Sequence, residues 1–259
     1  MGRSKELRRV RLESRGLDAG PVCAVFSALE RSTLEVFDCT WSLDDWAGEG
    51  TCSALTESVA SALRNNRTLR ELALDFDSED PDDLFLDVPK GLRLEDSYLR
   101  VLRLESWGVG DEGVREVMRS LRRMHRVVKL HTLEISNSEM TDEGAKHVAA
   151  ALKDDTCTLR ALSLTNTNGN EGCFGDEGAA AIADALRHNR SLVSLDLSNN
   201  NLTDRGQESL AAALADNTTL RNLDVWSCDG GSVRARDVLY AQRYAIGMRQ
   251  MCARSTFRI

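Results

Sequence analysis

Gly108 to Gly113, GVGDEG, matches G-x-G-x-x-G, the spacing that lets a turn's backbone N–H groups approach a pyrophosphate. Glu134 follows at about the distance where such turns keep a ribose-binding acid. Two features argue against a nucleotide. Asp111 would repel a pyrophosphate, and MTDEG, FGDEG and LTDRG recur at equivalent places, so only the last glycine belongs to a pattern. DFDSEDPDD, residues 75–83, resembles the opening of a calcium loop, but Asp80 replaces the required glycine and Leu86 the final glutamate. It reads as a solvated acidic loop. His125, His131, His147 and His188 have no metal-ligand spacing with each other or with cysteine. G-x-S-x-G, H-E-x-x-H and the P-loop motif do not occur. The expectation is a protein with no catalytic residue, cofactor or metal, and so not an enzyme.

The elements explain those near-motifs. The pattern L-x-x-L-x-L, with other apolar residues allowed at its sites, starts at Leu7, Leu34, Leu69, Leu99, Leu130, Leu159, Leu192 and Leu220. Apolar residues two apart mark a strand with one buried face. Four sharp copies of a second pattern follow: GVGDEGVREVMRSL, EMTDEGAKHVAAAL, CFGDEGAAAIADAL and NLTDRGQESLAAAL. Apolar residues four and eight beyond the glycine, such as Val148 and Leu152, have helical spacing. Asp111, Asp142, Asp176 and Asp204 fall in the first helical turn, where a carboxylate can accept free N–H groups. Looser helical copies run from Ala24 to Leu29 and from Val59 to Leu63.

A single strand–helix unit cannot bury both apolar faces, whereas stacked units can. The expected fold class is therefore α/β: a right-handed α/β solenoid, or horseshoe. It has about eight repeats, a concave parallel sheet and convex helices. Residues 1–228 form the array, and 229–259 a capping helix and tail. Repeat 3 lacks the helix signature, and repeat 6 has an extra loop near TNGNEGCF. The chain begins almost inside a strand, as a piece of a longer array would.

SLVSLDLSNNNLTDRGQESLAAALADNTTL, residues 191–220, resembles leucine-rich repeats of the ribonuclease-inhibitor class. The likeness extends over roughly residues 5–228, where it implies the fold. The class keeps Asn or Cys after each strand to satisfy the turn, matched here by Asn200 and Cys228. Ser42, Asp77, Trp107, Ser138 and Thr167 depart from that rule. The array is also similar to those of Ran GTPase-activating proteins and NLR-type receptors. The resemblance thus implies regulation of a small GTPase, inhibition of a ribonuclease, or a truncated sensor array as alternatives to a general scaffold.

The net charge of −8 disfavours nonspecific nucleic-acid binding. Two basic ends flank a strongly acidic middle, which suits a basic partner. The N-terminal stretch has no apolar signal core, and the seven cysteines have no C-x-x-C pair. These features predict reduced thiols in an intracellular, most simply cytoplasmic, protein with no membrane span. Cys39 occupies a core leucine site and should be a buried, inert thiol. Asn66, Asn201 and Asn217 lie in N-x-[ST] sequons that such a protein would leave unmodified.

Residues between the buried apolar sites of each strand should line the concave side. The acids among them are Glu13, Asp38, Glu71, Asp75, Glu105, Glu134, Asp196 and Asp224, against the bases Arg9, Arg11 and Arg103. Trp41, Phe76 and Trp107 should fall just past their strands, and Trp226 should end its strand, as aromatic anchors beside the acids. The expected binding set is Asp38, Trp41, Glu71, Asp75, Phe76, Arg103, Glu105, Glu134, Asp196, Asp224 and Trp226. The expected partner is a protein, with no nucleic acid, membrane or small-molecule substrate.

Overall fold

The computed structural model describes residues 7–15, 19–43, 49–78, 97–106, 109–123, 130–166 and 173–226. The chain divides into two compact units, Met1–Glu139 and Met140–Ile259. In both, strands and helices follow the strand–helix order of a leucine-rich α/β repeat.

The first unit contains β1 (Arg9–Arg15), α1 (Ala19–Leu29), β2 (Val36–Leu43), α2 (Glu49–Asn65), β3 (Glu71–Ser78), β4 (Val101–Ser106), α3 (Gly110–Arg122) and β5 (Thr132–Ser136). Its strands pair parallel in chain order, β1 to β5. The register puts Val10, Phe37, Leu72, Leu102 and Leu133 in one row, and Leu12, Cys39, Leu74, Leu104 and Ile135 in another. From β2 to β5 these positions are at most 5% exposed. Each large apolar side chain so covered contributes roughly 1.5–3 kcal/mol. Leu7 departs from the expectation: it is 66% exposed, beside a strand that pairs on one edge alone among the described residues.

The second unit contains α4 (Asp142–Leu152), β6 (Ala161–Thr165), α5 (Asp176–His188), β7 (Ser194–Asp196), α6 (Asp204–Asp216) and β8 (Asn222–Asp224). Strands β6, β7 and β8 again pair parallel in order. The three helices pack side by side through alanines, among them Ala145, Ala149, Ala179 and Ala183. Such small residues let helix axes come close.

Asp142 and Asp176 satisfy a neighbouring helix rather than their own, which corrects the sequence expectation. Asp142 Oδ1 accepts from Gly175 N at 2.7 Å and Gly178 N at 2.8 Å, at the start of α5. Asp176 likewise accepts from Thr203 N, Thr203 Oγ1 and Gly206 N at the start of α6. The glycine of D-x-G is required by this approach. A Cβ on Gly206 would lie 2.5 Å from Asp176 Oδ1, and one on Gly178 would lie 2.7 Å from the Ala145 Cβ. The recurring glycine of GVGDEG thus marks a place where, in two copies, one repeat caps the next. The α4 and α6 helices are capped locally by Thr141 and Thr203.

A second link is made by buried asparagines after the helices. Nδ2 of Asn66, Asn189 and Asn217 donates to the carbonyls of Leu29, Leu152 and Leu186, one helix back. Their Oδ1 atoms accept the N–H groups of Leu69, Leu192 and Leu220, which lead into the next strands. All three stand in N-x-[ST] triplets, Asn189 with Ser191 as well as Asn66 and Asn217, and each is at most 4% exposed. Asn200 plays the role expected after a strand, donating to Leu164 O at 2.7 Å and Leu197 O at 3.0 Å. Trp107, His125, Thr167, Cys228 and the 229–259 helix and tail lie outside the described residues. So do most of the acidic loop of repeat 3 and the extra loop of repeat 6.

Candidate protein-binding face

On β1 to β5 the residues between the buried rows form three further rows. One reads Arg9, Val36, Glu71, Val101, Thr132 and the next Arg11, Asp38, Ala73, Arg103, Glu134. The third reads Glu13, Thr40, Asp75, Glu105, Ser136. This face therefore brings together Asp38, Glu71, Asp75, Arg103, Glu105 and Glu134 from the expected set. The alternation of a strand enforces it, because the leucines between them face the interior.

The charges are organised around two arginines. Arg103 Nε donates to Glu134 at 2.9 Å, and its Nη1 lies 3.8 Å from Glu71. Arg11 Nε meets Glu13 at 2.9 Å and Asp38 at 3.7 Å. These are half-exposed pairs of small net value. Asp75 and Glu105 stand opposite each other in register on β3 and β4. Beneath this face, burial first and then Asp38 and Asp75 push the Cys39 thiol well above its ordinary 9.0. Cys39 is fully buried, with Sγ 3.5 Å from Ala73 O. The expected burial of Cys39 is what the structure has.

In the second unit, Asp196 and Asp224 stand opposite each other on β7 and β8. Asp196 Oδ1 also accepts from Ser198 N at 3.0 Å, which holds the turn. Trp226 lies two residues beyond β8 with 67% of its surface exposed, and its N–H donates to Ser198 Oγ. Trp41 and Phe76 lie within β2 and β3, in register with each other, rather than past the strand ends. Their side chains lie outside the described set. Among the described residues no group of three His, Cys, Asp or Glu could hold a metal. No described helix is long and apolar enough to cross a membrane.

Two stretches, residues 128–149 and 188–211, match the family model described as Leucine Rich repeat. The chain is a leucine-rich repeat protein. Its repeats are of the ribonuclease-inhibitor-like class. They are similar to mouse (Mus musculus) ribonuclease inhibitor, 29% identical over 198 residues, covering 75% of this chain and 41% of that protein. They are also similar to mouse NACHT, LRR and PYD domains-containing protein 14, 31% identical over 176 residues, covering 68% of this chain and 17% of that protein. The chain thus spans less than half the length of either relative. Among solved structures, leiomodin-1 actin-binding site 2 has a TM-score of 0.47 at 18% identity, covering 66% of this chain and 94% of that one.

The leucine-rich repeat protein holds one group of charges that the sequence reading passed over. The second residue of the strand motif is Arg8, Arg70, Arg100, Arg160 and Arg221 in five of the eight copies. The signal was a recurring arginine at a fixed motif position, hidden by attention to the alternate residues that face out from the strands.

Proposed function

We propose that this protein is an intracellular interaction module that binds a basic protein through the exposed face of its sheet, without chemistry of its own. The observation that carries this reading is the placing of like charges. Asp75 faces Glu105, and Asp196 faces Asp224, on adjacent strands. Carboxylates paired across adjacent strands give a cationic partner two acceptors at one spacing on the same face. In the first unit the contacting residues are Asp38, Glu71, Asp75, Arg103, Glu105 and Glu134. In the second they are Asp196, Asp224 and Trp226. Trp41 and Phe76 remain part of the proposed surface by their place in the strands. Among the described residues Cys23, Cys39 and Cys157 are thiols outside any disulfide, which suits a reducing, cytoplasmic setting.

The test is affinity purification with the wild-type protein and with the Asp75→Lys/Glu105→Lys double variant, followed by calorimetry on the partner recovered. Loss of a basic partner by the variant supports the reading, and equal affinity for both proteins overturns it. A second reading, inhibition of a basic ribonuclease, is favoured by the likeness to mouse ribonuclease inhibitor. An RNA-hydrolysis assay with a pancreatic-type ribonuclease tests it, and unslowed hydrolysis at micromolar protein rejects it.

A further inference from the structure

The residue after the first leucine of each strand motif is Arg8, Glu35, Arg70, Arg100 and His131 in the first unit. Their backbones are joined neighbour to neighbour. Arg70 N donates to Glu35 O at 2.8 Å, Arg100 N to Arg70 O at 2.7 Å and His131 N to Arg100 O at 2.9 Å. Arg70 and Arg100 therefore stand side by side where β3 and β4 begin, about one strand spacing apart.

Tyr98 gathers the guanidinium groups there. The Arg67 guanidinium carbon lies 5.1 Å from the ring centroid and that of Arg70 lies 5.5 Å from it. Arg67 Nη1 donates to the Tyr98 hydroxyl at 3.1 Å. Arg70 Nη1 is held by the carbonyls of Arg67 and Leu69 at 3.1 and 3.2 Å. Beside them lies an open depression of about 350 Å³ lined by Glu35, Thr68, Arg70 and Arg100.

What sets this place apart is the grouping of its arginines around one ring and one depression. Arg8, Arg11, Arg64, Arg103, Arg115 and Arg119 each meet a carboxylate. Among the described residues, Arg67, Arg70 and Arg100 meet none. Glu35, the one acid in the lining, is held by Arg8 at 3.1 Å. Arg70 and Arg100 thus line one small depression, and Arg67 stands beside Arg70 on the Tyr98 ring, in a chain of net charge −8.

We propose that Arg67, Arg70 and Arg100 form a docking site for a phosphorylated side chain of a partner protein. A phosphoryl group brings a charge of about −1.5 to −2 and three acceptor oxygens, which matches several guanidinium forks at once. A carboxylate brings one charge and two oxygens and leaves part of the cluster unmatched. Stacking on Tyr98 and bonds to backbone carbonyls hold Arg67 and Arg70 in place, so less side-chain freedom is lost on binding. The site lies where the strands begin, one residue before the first outward row, and does not depend on the basic-partner reading.

The experiment is fluorescence anisotropy of the full chain with three labelled pentapeptides: Ala-Ala-phosphoserine-Ala-Ala and its serine and aspartate counterparts. The phosphopeptide is expected to bind at least about tenfold more tightly than either counterpart, and the Arg70→Gln/Arg100→Gln variant to lose that margin. The Arg115→Gln/Arg119→Gln variant changes net charge equally on α3 and should bind as the wild type does. An Asp75→Lys/Glu105→Lys protein should keep its phosphopeptide affinity, which separates this site from the acidic face. Far-UV circular dichroism and the thermal midpoint check that each variant folds, and Tyr98→Phe supplies a milder lesion that removes only the hydroxyl. Equal binding of the three peptides, or equal losses in both arginine variants, overturns the proposal.

Discussion

At the scale of single residues, Asp142, Gly178 and Cys39 carry distinct and testable weights. Asp142 Oδ1 holds two N–H groups at the start of α5. Asp142→Ala should destabilise by about 1–3 kcal/mol, read as a shift in the urea midpoint with unchanged slope. Gly178→Ala pushes a methyl to within 2.8 Å of that same oxygen, and should destabilise too. Gly20→Ala in α1 meets nothing within 4 Å and should be neutral or stabilising by up to about 1 kcal/mol. Cys39 keeps its proton in the folded state to a higher pH than in the unfolded chain, because burial opposes the thiolate. Its contribution is fully present below the unfolded thiol pKa and is lost as pH rises through the raised folded value. Stability should therefore fall above about pH 9 less steeply in Cys39→Ala than in wild type, as denaturant titrations across pH 8–10 would measure. The burial of Cys39 was legible from its motif position. The reach of Asp142 into the next repeat was not, because an acid in a first helical turn is equally suited to its own helix, and only the stack decides.

At the scale of elements, three helices, α2, α5 and α6, are each tied to the helix before and the chain after by one asparagine. Asn189 joins the end of α4 to the chain entering β7, through Leu152 O on one side and the N–H groups of Ser191 and Leu192 on the other. Asn189→Ala leaves those buried groups unpaired and should cost about 3 kcal/mol, measured by thermal or urea unfolding. Asn189→Asp keeps the acceptor but loses the donor, and should also destabilise. The helices and strands were readable because two periods, 2 and 3.6, alternate along the chain. Leu72 and Leu74 on β3, or Val148 and Leu152 on α4, show the switch plainly. The structural role of these asparagines was not legible, because an N-x-[ST] triplet carries no periodicity and their partners lie some 30 residues away.

At the scale of the molecule, an acidic sheet face and an arginine-lined strand edge coexist in the first unit. Glu105→Lys places opposite charges across from each other on β3 and β4, and should raise the melting free energy by a few tenths of a kcal/mol. The same change should weaken capture of a basic partner, so stability and binding move in opposite directions. Calorimetric unfolding and a binding assay on one variant would read both. The acidic bias was legible from residue positions. The arginine cluster was not, since Tyr98 lies outside the strand motif, and no spacing rule foretells that its ring gathers Arg67 and Arg70.

The burial of Asn66, Asn189 and Asn217 has a consequence for any cell that routes this chain through a glycosylating compartment. An oligosaccharyltransferase acting on the nascent chain would meet these three acceptor sequons before the side chains are enclosed. A sugar on Nδ2 would occupy the atom that donates to Leu29 O, Leu152 O or Leu186 O, and would be far too large for the space the amide fills. The attached glycan would thus lock the polypeptide out of its native state, and secreted expression should yield soluble product only where those three acceptor sites are removed at Thr68, Ser191 and Thr219.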